Sequence, residues 1–234
     1  KEVVLVDAEE RILSRYFDKE YTEIAEKAFK DRGIVIATGE KVVKFEGKNG
    51  NVKKVITDKN EYDADMVITC VGFAPATSLF EGQLDMLPNG AIKVDEYMRT
   101  SDKDVMAAGD CCSVYSNALN THIYIPLATN AVRMGTLAAL NLSENKFRHP
   151  GTQGTSGIKI YENNMAATGI TEETAKAEGI EVESVIAVDN YRPEFMPTYE
   201  EVMLKVVFDK NSRKILGAQL NSKMDLTQSI NTLS

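Results

Sequence analysis

Two short apolar runs set around a helical stretch constrain this chain more than any other feature. Val3-Val4-Leu5-Val6 closes on Asp7, the pattern of a strand buried on both faces of a parallel sheet. Over residues 18–32, Tyr21, Ile24, Ala25, Ala28 and Phe29 recur at helical spacing. Asp18 stands where an N-cap belongs and Gly33 where a C-terminal cap belongs. Ile34-Val35-Ile36-Ala37 is the next strand. Strand, helix and strand in this order form the crossover unit of a parallel α/β sheet.

The pattern then changes. Alternating residues 41–45 and 52–57 flank Gly47-Lys48-Asn49-Gly50 and predict a hairpin, with a second turn at Asp58-Lys59-Asn60-Glu61. Met66-Val67-Ile68-Thr69-Cys70-Val71-Gly72 predicts a buried strand returning to the main sheet. Short strands are expected at residues 91–94 and 105–108, and a helix at 129–142. Residues 147–154 turn to Pro, Gly, Thr and Gln, a linker signal. Beyond it, strands are expected at residues 157–161, 165–169, 182–188, 202–208 and 215–220, with a helix at 171–179 capped by Thr171. This second half predicts an α+β domain with a largely antiparallel sheet. The chain enters a strand at Val3 and stops in a helical stretch at residues 226–234, so both ends are expected to be cut from something longer.

Composition excludes several classes. A length of 234 residues allows one large domain or two modest ones. The net charge of −8 argues against a broad nucleic-acid-binding face, which needs clustered Lys and Arg. Two His and three Cys cannot build a four-ligand zinc site at ordinary spacing, so no metal is expected. Adjacent Cys111 and Cys112, with Cys70 alone on an apolar strand, give no disulfide framework and point to a reducing, cytoplasmic setting. No apolar run approaches ~18 residues, so no membrane span is expected.

Several residues can carry chemistry. Asp7 ends the first strand, where an acid accepts hydrogen bonds from the adenosine ribose hydroxyls and repels a 2′-phosphate. Residues 100–110 deliver Gly109 and Asp110 at a strand's carboxyl end: the glycine allows close approach, and the carboxylate suits a sugar-alcohol hydroxyl. Ile125-Pro126-Leu127-Ala128-Thr129 leads into a helix whose free N–H groups near Ala128 and Thr129 favour an anion or an electron-rich ring edge. Cys70 is expected to be a buried structural residue. Cys112 is expected to reach solvent with no neighbour in sequence to lower its pKa, and His122 and His149 to be surface residues.

These motifs together resemble the flavin-dependent pyridine nucleotide–disulfide oxidoreductases. The resemblance rests on Val3 to Asp7, Tyr16-Phe17-Asp18-Lys19-Glu20, Val71-Gly72-Phe73-Ala74-Pro75, Thr100 to Asp110 and Ile125 to Gly135, in that order. Thr152-Gln153-Gly154-Thr155-Ser156-Gly157, Met165-Ala166-Ala167-Thr168-Gly169 and Asn190-Tyr191-Arg192-Pro193-Glu194-Phe195 look especially like the water-forming NADH oxidases of lactic acid bacteria, within a branch that includes NADH peroxidase and coenzyme A-disulfide reductase. The resemblance implies Rossmann-like parallel-sheet portions of an NAD domain (residues 1–72) and of a returning FAD domain (73–148). An α+β dimerisation domain (151–234) would follow and make a homodimer. It implies FAD contacts at Gly109, Asp110, Leu127, Ala128 and Thr129, the last three facing the flavin pyrimidine edge. It implies NADH contacts at Asp7, Tyr16, Gly72, Pro126 and Gly157.

The implied reaction is hydride transfer from NADH to flavin, with electrons passed on to oxygen or peroxide through a cysteine sulfenic acid. None of Cys70, Cys111 and Cys112 falls in the family's redox motif, which would lie upstream of Lys1 with both Gly-rich phosphate loops. This chain alone is therefore expected to be inactive. The alternatives are a peroxidase, a coenzyme A-disulfide reductase, or a non-catalytic dimerisation module.

Overall fold

The computed structural model describes residues 2–234, which divide into two units. The first joins residues up to 70 with residues 156–233, and the second spans residues 71–155.

In the first unit, β1 (Val4–Val6) pairs in parallel with β2 (Val35–Ala37), and α1 (Lys19–Lys30) crosses between them. The chain leaves α1 through Gly33, whose φ of 75° is the left-handed conformation that glycine adopts freely. An antiparallel ladder follows: β3 (Val42–Lys48), β4 (Asn51–Thr57) and β5 (Glu61–Asp63). Asn49 and Gly50 both have positive φ, the backbone of a tight hairpin turn.

The second unit opens with a 3₁₀ turn (Ser78–Phe80) and carries a small hairpin, β6 (Val114–Ser116) with β7 (Thr121–Ile123). Its principal helix is α2 (Ala128–Leu140). The core beneath gathers Ile92, Val94, Met98, Cys112, Val114 and Met134.

Returning to the first unit, β8 (Ser156–Ile160) and β9 (Asn163–Gly169) lead into α3 (Glu172–Ala177). Then come β10 (Val182–Asn190), β11 (Glu201–Asp209), β12 (Ile215–Ser222) and a 3₁₀ helix (Thr227–Leu233). The five-stranded sheet is antiparallel throughout, in the order β10-β11-β12-β9-β8. Alternation along β9 divides its side chains between two cores. Met165 and Ala167 pack with Phe17, Tyr21, Ala25 and Ala28, while Ala166 packs with Ala218, Leu220 and Ile230. The first of these cores joins α1 to the sheet and the second joins the 3₁₀ helix to its other face, although the segments lie far apart in sequence.

A buried polar knot completes that joint. Lys205 on β11 is 1% exposed, and its Nζ lies 3.0 Å from Asp18 Oδ2, 3.0 Å from Glu172 Oε2 and 3.1 Å from Glu20 Oε1. Asp18 sits at the N-cap of α1 but spends its side chain on α3, accepting from the Glu172 and Glu173 N–H groups at 3.1 and 3.2 Å. Gln219 clamps the same residue: it donates to Asp18 Oδ2 at 2.6 Å and accepts from the Asp18 N–H at 2.7 Å. Tyr21 Oη adds a donation to the Gln219 carbonyl at 2.9 Å. Burial alone would depress the Lys205 ammonium, but the carboxylates around it outweigh burial and raise its pKa.

Several expectations need correction. Residues 66–72 form no strand: Met66, Ile68 and Val71 are 77%, 78% and 86% exposed, and Cys70 is exposed rather than buried. A buried strand needs ladder partners on its edges, and none of the described strands pairs with this segment. The strands expected at residues 91–94 and 105–108 shrink to isolated bridges, Ile92 with Met86 and Cys112, and Met106 with Arg99. Residues 227–233 wind as 3₁₀ helix. His149 is buried, with Nδ1 accepting from the Gly151 N–H at 3.0 Å, and His122 is half-buried against Tyr115. Cys112 is buried in the second unit's core.

Lys205→Met leaves the buried Asp18 carboxylate without its cation, beside the partly exposed Glu20 and Glu172, and urea unfolding of the chain is expected to show a loss of about 3 kcal/mol. Glu172 is held down to about 2, chiefly by the Lys205 ammonium and then by Ser184 and Lys176. A depressed carboxyl stabilises the folded state above its unfolded value near 4.5 and loses that contribution as pH falls toward 2. Urea titrations from pH 7 to pH 2 should therefore show an acid loss on the order of 2 kcal/mol that Glu172→Gln largely removes.

Candidate nucleotide-binding site

The second unit builds its site where an irregular strand ends. Met106 is held by its bridge to Arg99, and the Ala107 N–H donates to the Met98 carbonyl at 3.1 Å. The chain then turns through Gly109 at φ 88°. The Cys112 N–H closes this turn on the Gly109 carbonyl at 3.1 Å, and the Ile92 N–H secures the Cys111 carbonyl at 2.9 Å.

Gly109 faces α2. A Cβ placed on it would lie 3.7 Å from Ala131 Cβ, so the turn and the first turn of the helix share one wall. Asp110 is exposed, and among the described residues no donor bonds its carboxylate. Such a group is acceptor-only and free to take a hydroxyl. Leu127 is the N-cap of α2 but provides no side-chain cap, and the first intrahelical bond is Ala131 N–H to the Leu127 carbonyl at 2.9 Å. Helix geometry leaves the N–H groups of Ala128, Thr129 and Asn130 without intrahelical acceptors, at the positive end of the helix. The buried Asn130 side chain pins this start, donating to the Ile125 carbonyl at 3.4 Å and accepting from Thr152 Oγ1 at 3.1 Å. Gly109, Asp110, Pro126, Leu127, Ala128 and Thr129 thus belong to one unit and to two segments in contact. Gly72, in the same unit, has φ 89° and open space where a side chain would be.

Asp7, Tyr16 and Gly157 belong to the first unit. Asp7 is half-buried at the end of β1, with its N–H on the Ala37 carbonyl at 2.9 Å and its Oδ1 accepting from the Glu9 N–H at 3.0 Å. It lines a cavity of about 410 Å³ with Leu5, Ile12, Phe29, Ile158 and Tyr161. The cavity wall is mostly aliphatic and aromatic, with Asp7 and Lys159 as its charged residues. Tyr16 is 48% exposed, and Gly157 lies in β8, one residue before the cavity wall.

The sequence reading missed the state of Cys111. Its sulfur lies 3.6 Å from that of Cys112, whose S–H lowers the Cys111 pKa against the opposing effect of burial. The Cys-Cys dipeptide was the available signal.

A parallel strand–helix–strand crossover, a Gly-Asp turn against a helix start and an antiparallel carboxyl-terminal sheet are parts found in nucleotide-binding α/β proteins. The sequence matches the pyridine nucleotide-disulphide oxidoreductase family over residues 1–135 and that family's dimerisation domain over residues 155–234. The chain belongs to this family. It is 52% identical to an NADH oxidase of Enterococcus faecalis, over 100% of this chain and 53% of the relative. The water-forming NADH oxidase from Lactobacillus brevis bound to NADH superposes with a TM-score of 0.96 at 45% identity, over 100% of this chain and 52% of that one. An engineered water-forming NADPH oxidase made from the same enzyme, bound to NADPH, gives the same TM-score of 0.96, identity of 45% and coverage of 100% and 52%. Its five substitutions include an aspartate changed to alanine. The chain spans about half the length of the curated relatives it matches. Among the described residues no helix is long and apolar enough to cross a membrane, and no group of three or more His, Cys, Asp or Glu could hold a metal.

Replacing Gly109 by Ala tests the turn. The 3.7 Å approach to Ala131 is an ordinary contact, so backbone strain at φ 88° and not crowding sets the cost. The expected loss is about 1–2 kcal/mol, read by urea unfolding.

Proposed function

We propose that this chain is part of a flavin-dependent NADH oxidase that passes electrons from NADH to oxygen and forms water. Residues 1–72 would contribute to its NAD domain, 73–148 to its FAD domain and 151–234 to a domain that makes a cytoplasmic homodimer. The observation that carries the reading is the Asp110 carboxylate, free of protein donors at the end of a glycine turn that faces an uncapped helix start.

Bound FAD would supply the hydride acceptance and the transfer of electrons to oxygen. The residues present fit it. Asp110 accepts hydrogen bonds from the ribityl hydroxyls, and Gly109 keeps that approach clear of side chains. Leu127, Ala128 and Thr129 present helix N–H groups to the pyrimidine edge, where they stabilise negative charge without needing a cationic side chain. Pro126 and Gly72 shape the approach for the nicotinamide. Asp7 receives the adenosine ribose hydroxyls of NADH and repels the extra phosphate of NADPH, with Tyr16 and Gly157 beside the dinucleotide. The NADPH-binding relative supports this role, since its change of cofactor includes the loss of an aspartate.

The test uses the full-length protein. It should purify yellow with FAD and consume oxygen with NADH while releasing no peroxide. Asp110→Ala should lower flavin occupancy at least tenfold, read from the visible absorbance. Asp7→Ala should improve the NADPH-to-NADH ratio of kcat/KM by about tenfold or more, about 1.4 kcal/mol of lost repulsion. A colourless, oxygen-inert full-length protein would overturn the proposal.

A further inference from the structure

Cys111 and Cys112 follow the Gly109-Asp110 turn, and neither has a part in the proposed electron transfer. Their backbone is fixed on both sides. The Ile92 N–H bonds the Cys111 carbonyl at 2.9 Å, the Cys112 N–H bonds the Gly109 carbonyl at 3.1 Å, and the Ser113 N–H bonds the Ile92 carbonyl at 2.9 Å. Cys112 is 3% exposed in the core, while Cys111 is half-buried and keeps a face toward solvent. Their sulfurs lie 3.6 Å apart.

That separation disfavours a disulfide and suits a shared third atom. A disulfide needs sulfurs at ~2.05 Å and usually Cα atoms ~4.4–6.8 Å apart. Consecutive residues hold their Cα atoms ~3.8 Å apart, so direct bonding would strain this hydrogen-bonded turn. Two sulfurs bound at ~2.3 Å to one centre at the compressed, pyramidal angles of trivalent arsenic lie about 3.4–3.5 Å apart. The pair, at 3.6 Å, needs only a slight closing to reach that spacing. A four-coordinate ion would need further ligands, and no third His, Cys, Asp or Glu completes a metal cluster among the described residues. A trivalent arsenical brings its own third substituent and asks only for two sulfurs.

We propose that Cys111 and Cys112 form a chelating site for trivalent organoarsenicals. The step is a substitution without redox change. With phenylarsine oxide, the arsenic–oxygen bond breaks and two arsenic–sulfur bonds form, and the oxygen leaves as water with both thiol protons. Cys111 reacts first, because it faces solvent and its thiol titrates below the usual range through hydrogen bonding from Cys112. Cys112 then closes the ring from the core side. Cys70 is exposed and has no second sulfur beside it, so it serves as an internal control.

Phenylarsine oxide is added to the full chain and its stoichiometry read by intact mass. Free thiols are then mapped with iodoacetamide after unfolding in urea. One phenylarsenic group per chain is expected, with Cys111 and Cys112 both protected and Cys70 alkylated. The adduct should resist glutathione and be released by 2,3-dimercaptopropanol. Cys111→Ser and Cys112→Ala should each weaken binding by about 10²-fold or more, the loss of an intramolecular second link, while Cys70→Ser leaves it unchanged. Native affinity in a Cys112→Ala chain that keeps its far-UV circular dichroism would overturn the site. Should that variant unfold, the native chain decides: protection of both cysteines supports the chelate, and alkylation of either at saturating arsenical overturns it.

Discussion

The joint between α1 and the carboxyl-terminal sheet depends on one buried charge. Lys205 stands among Asp18, Glu20 and Glu172 with almost no contact with water, and Asp18 also serves the N-terminus of α3 and the Gln219 amide. Coulomb attraction in such a site is strong, but so is the cost of desolvation, so net stability is not its main product. What the knot contributes is register. Asp18 and Glu20 come from the start of α1 and Glu172 from α3, and the placement of α1 against β11, β12 and α3 gives every charge its partner. The apolar contacts of Tyr21, Ala25 and Ala28 with Met165 and Ala167 are less particular, because small side chains tolerate sliding.

The second unit uses a different device. Its turn at residues 109–112 is shaped by backbone hydrogen bonds and a glycine in the left-handed region, with the apolar core of Met98, Cys112 and Met134 below it. Among the described residues no donor satisfies Asp110 and no side chain caps α2, although the groups involved are among the strongest acceptors and donors a chain offers. A fold that saturates Asp18 with four partners and leaves Asp110 with none keeps its hydrogen-bonding capacity where solutes can reach it.

Elements whose partners are local were legible in the sequence. The βαβ crossover, the hairpin at Asn49-Gly50, the Thr171 cap and the antiparallel carboxyl-terminal strands all follow from short-range periodicity and turn chemistry. Readings that required knowledge of distant neighbours failed. Residues 66–72 carry the composition of a buried strand, yet composition cannot supply the flanking strands that would bury them. The β6–β7 hairpin escaped notice because Val114-Tyr115-Ser116 is short and its turn lacks glycine, relying on Asn120 at φ 52°. In the site, the Gly-Asp turn and helix start were readable from order alone. The sulfur contact between Cys111 and Cys112 was not, since adjacent side chains ordinarily diverge, and the burial of His149 depends on contacts with Glu96 and Gly151 that no local pattern announces.

The span of the Asp18–Gln219 clamp has a temporal meaning. The two residues are 201 positions apart, so α1 leaves the ribosome long before the residue that fixes its N-terminus has been made. At about 5–20 residues per second, that interval is roughly 10–40 s. Until β9 has been made, the apolar stripe of α1 lacks Met165 and Ala167, and until Gln219 follows its N-terminus stays unclamped. Synthesis order therefore sets the earliest moment at which α1 can dock fully, separately from the equilibrium stability of the finished joint.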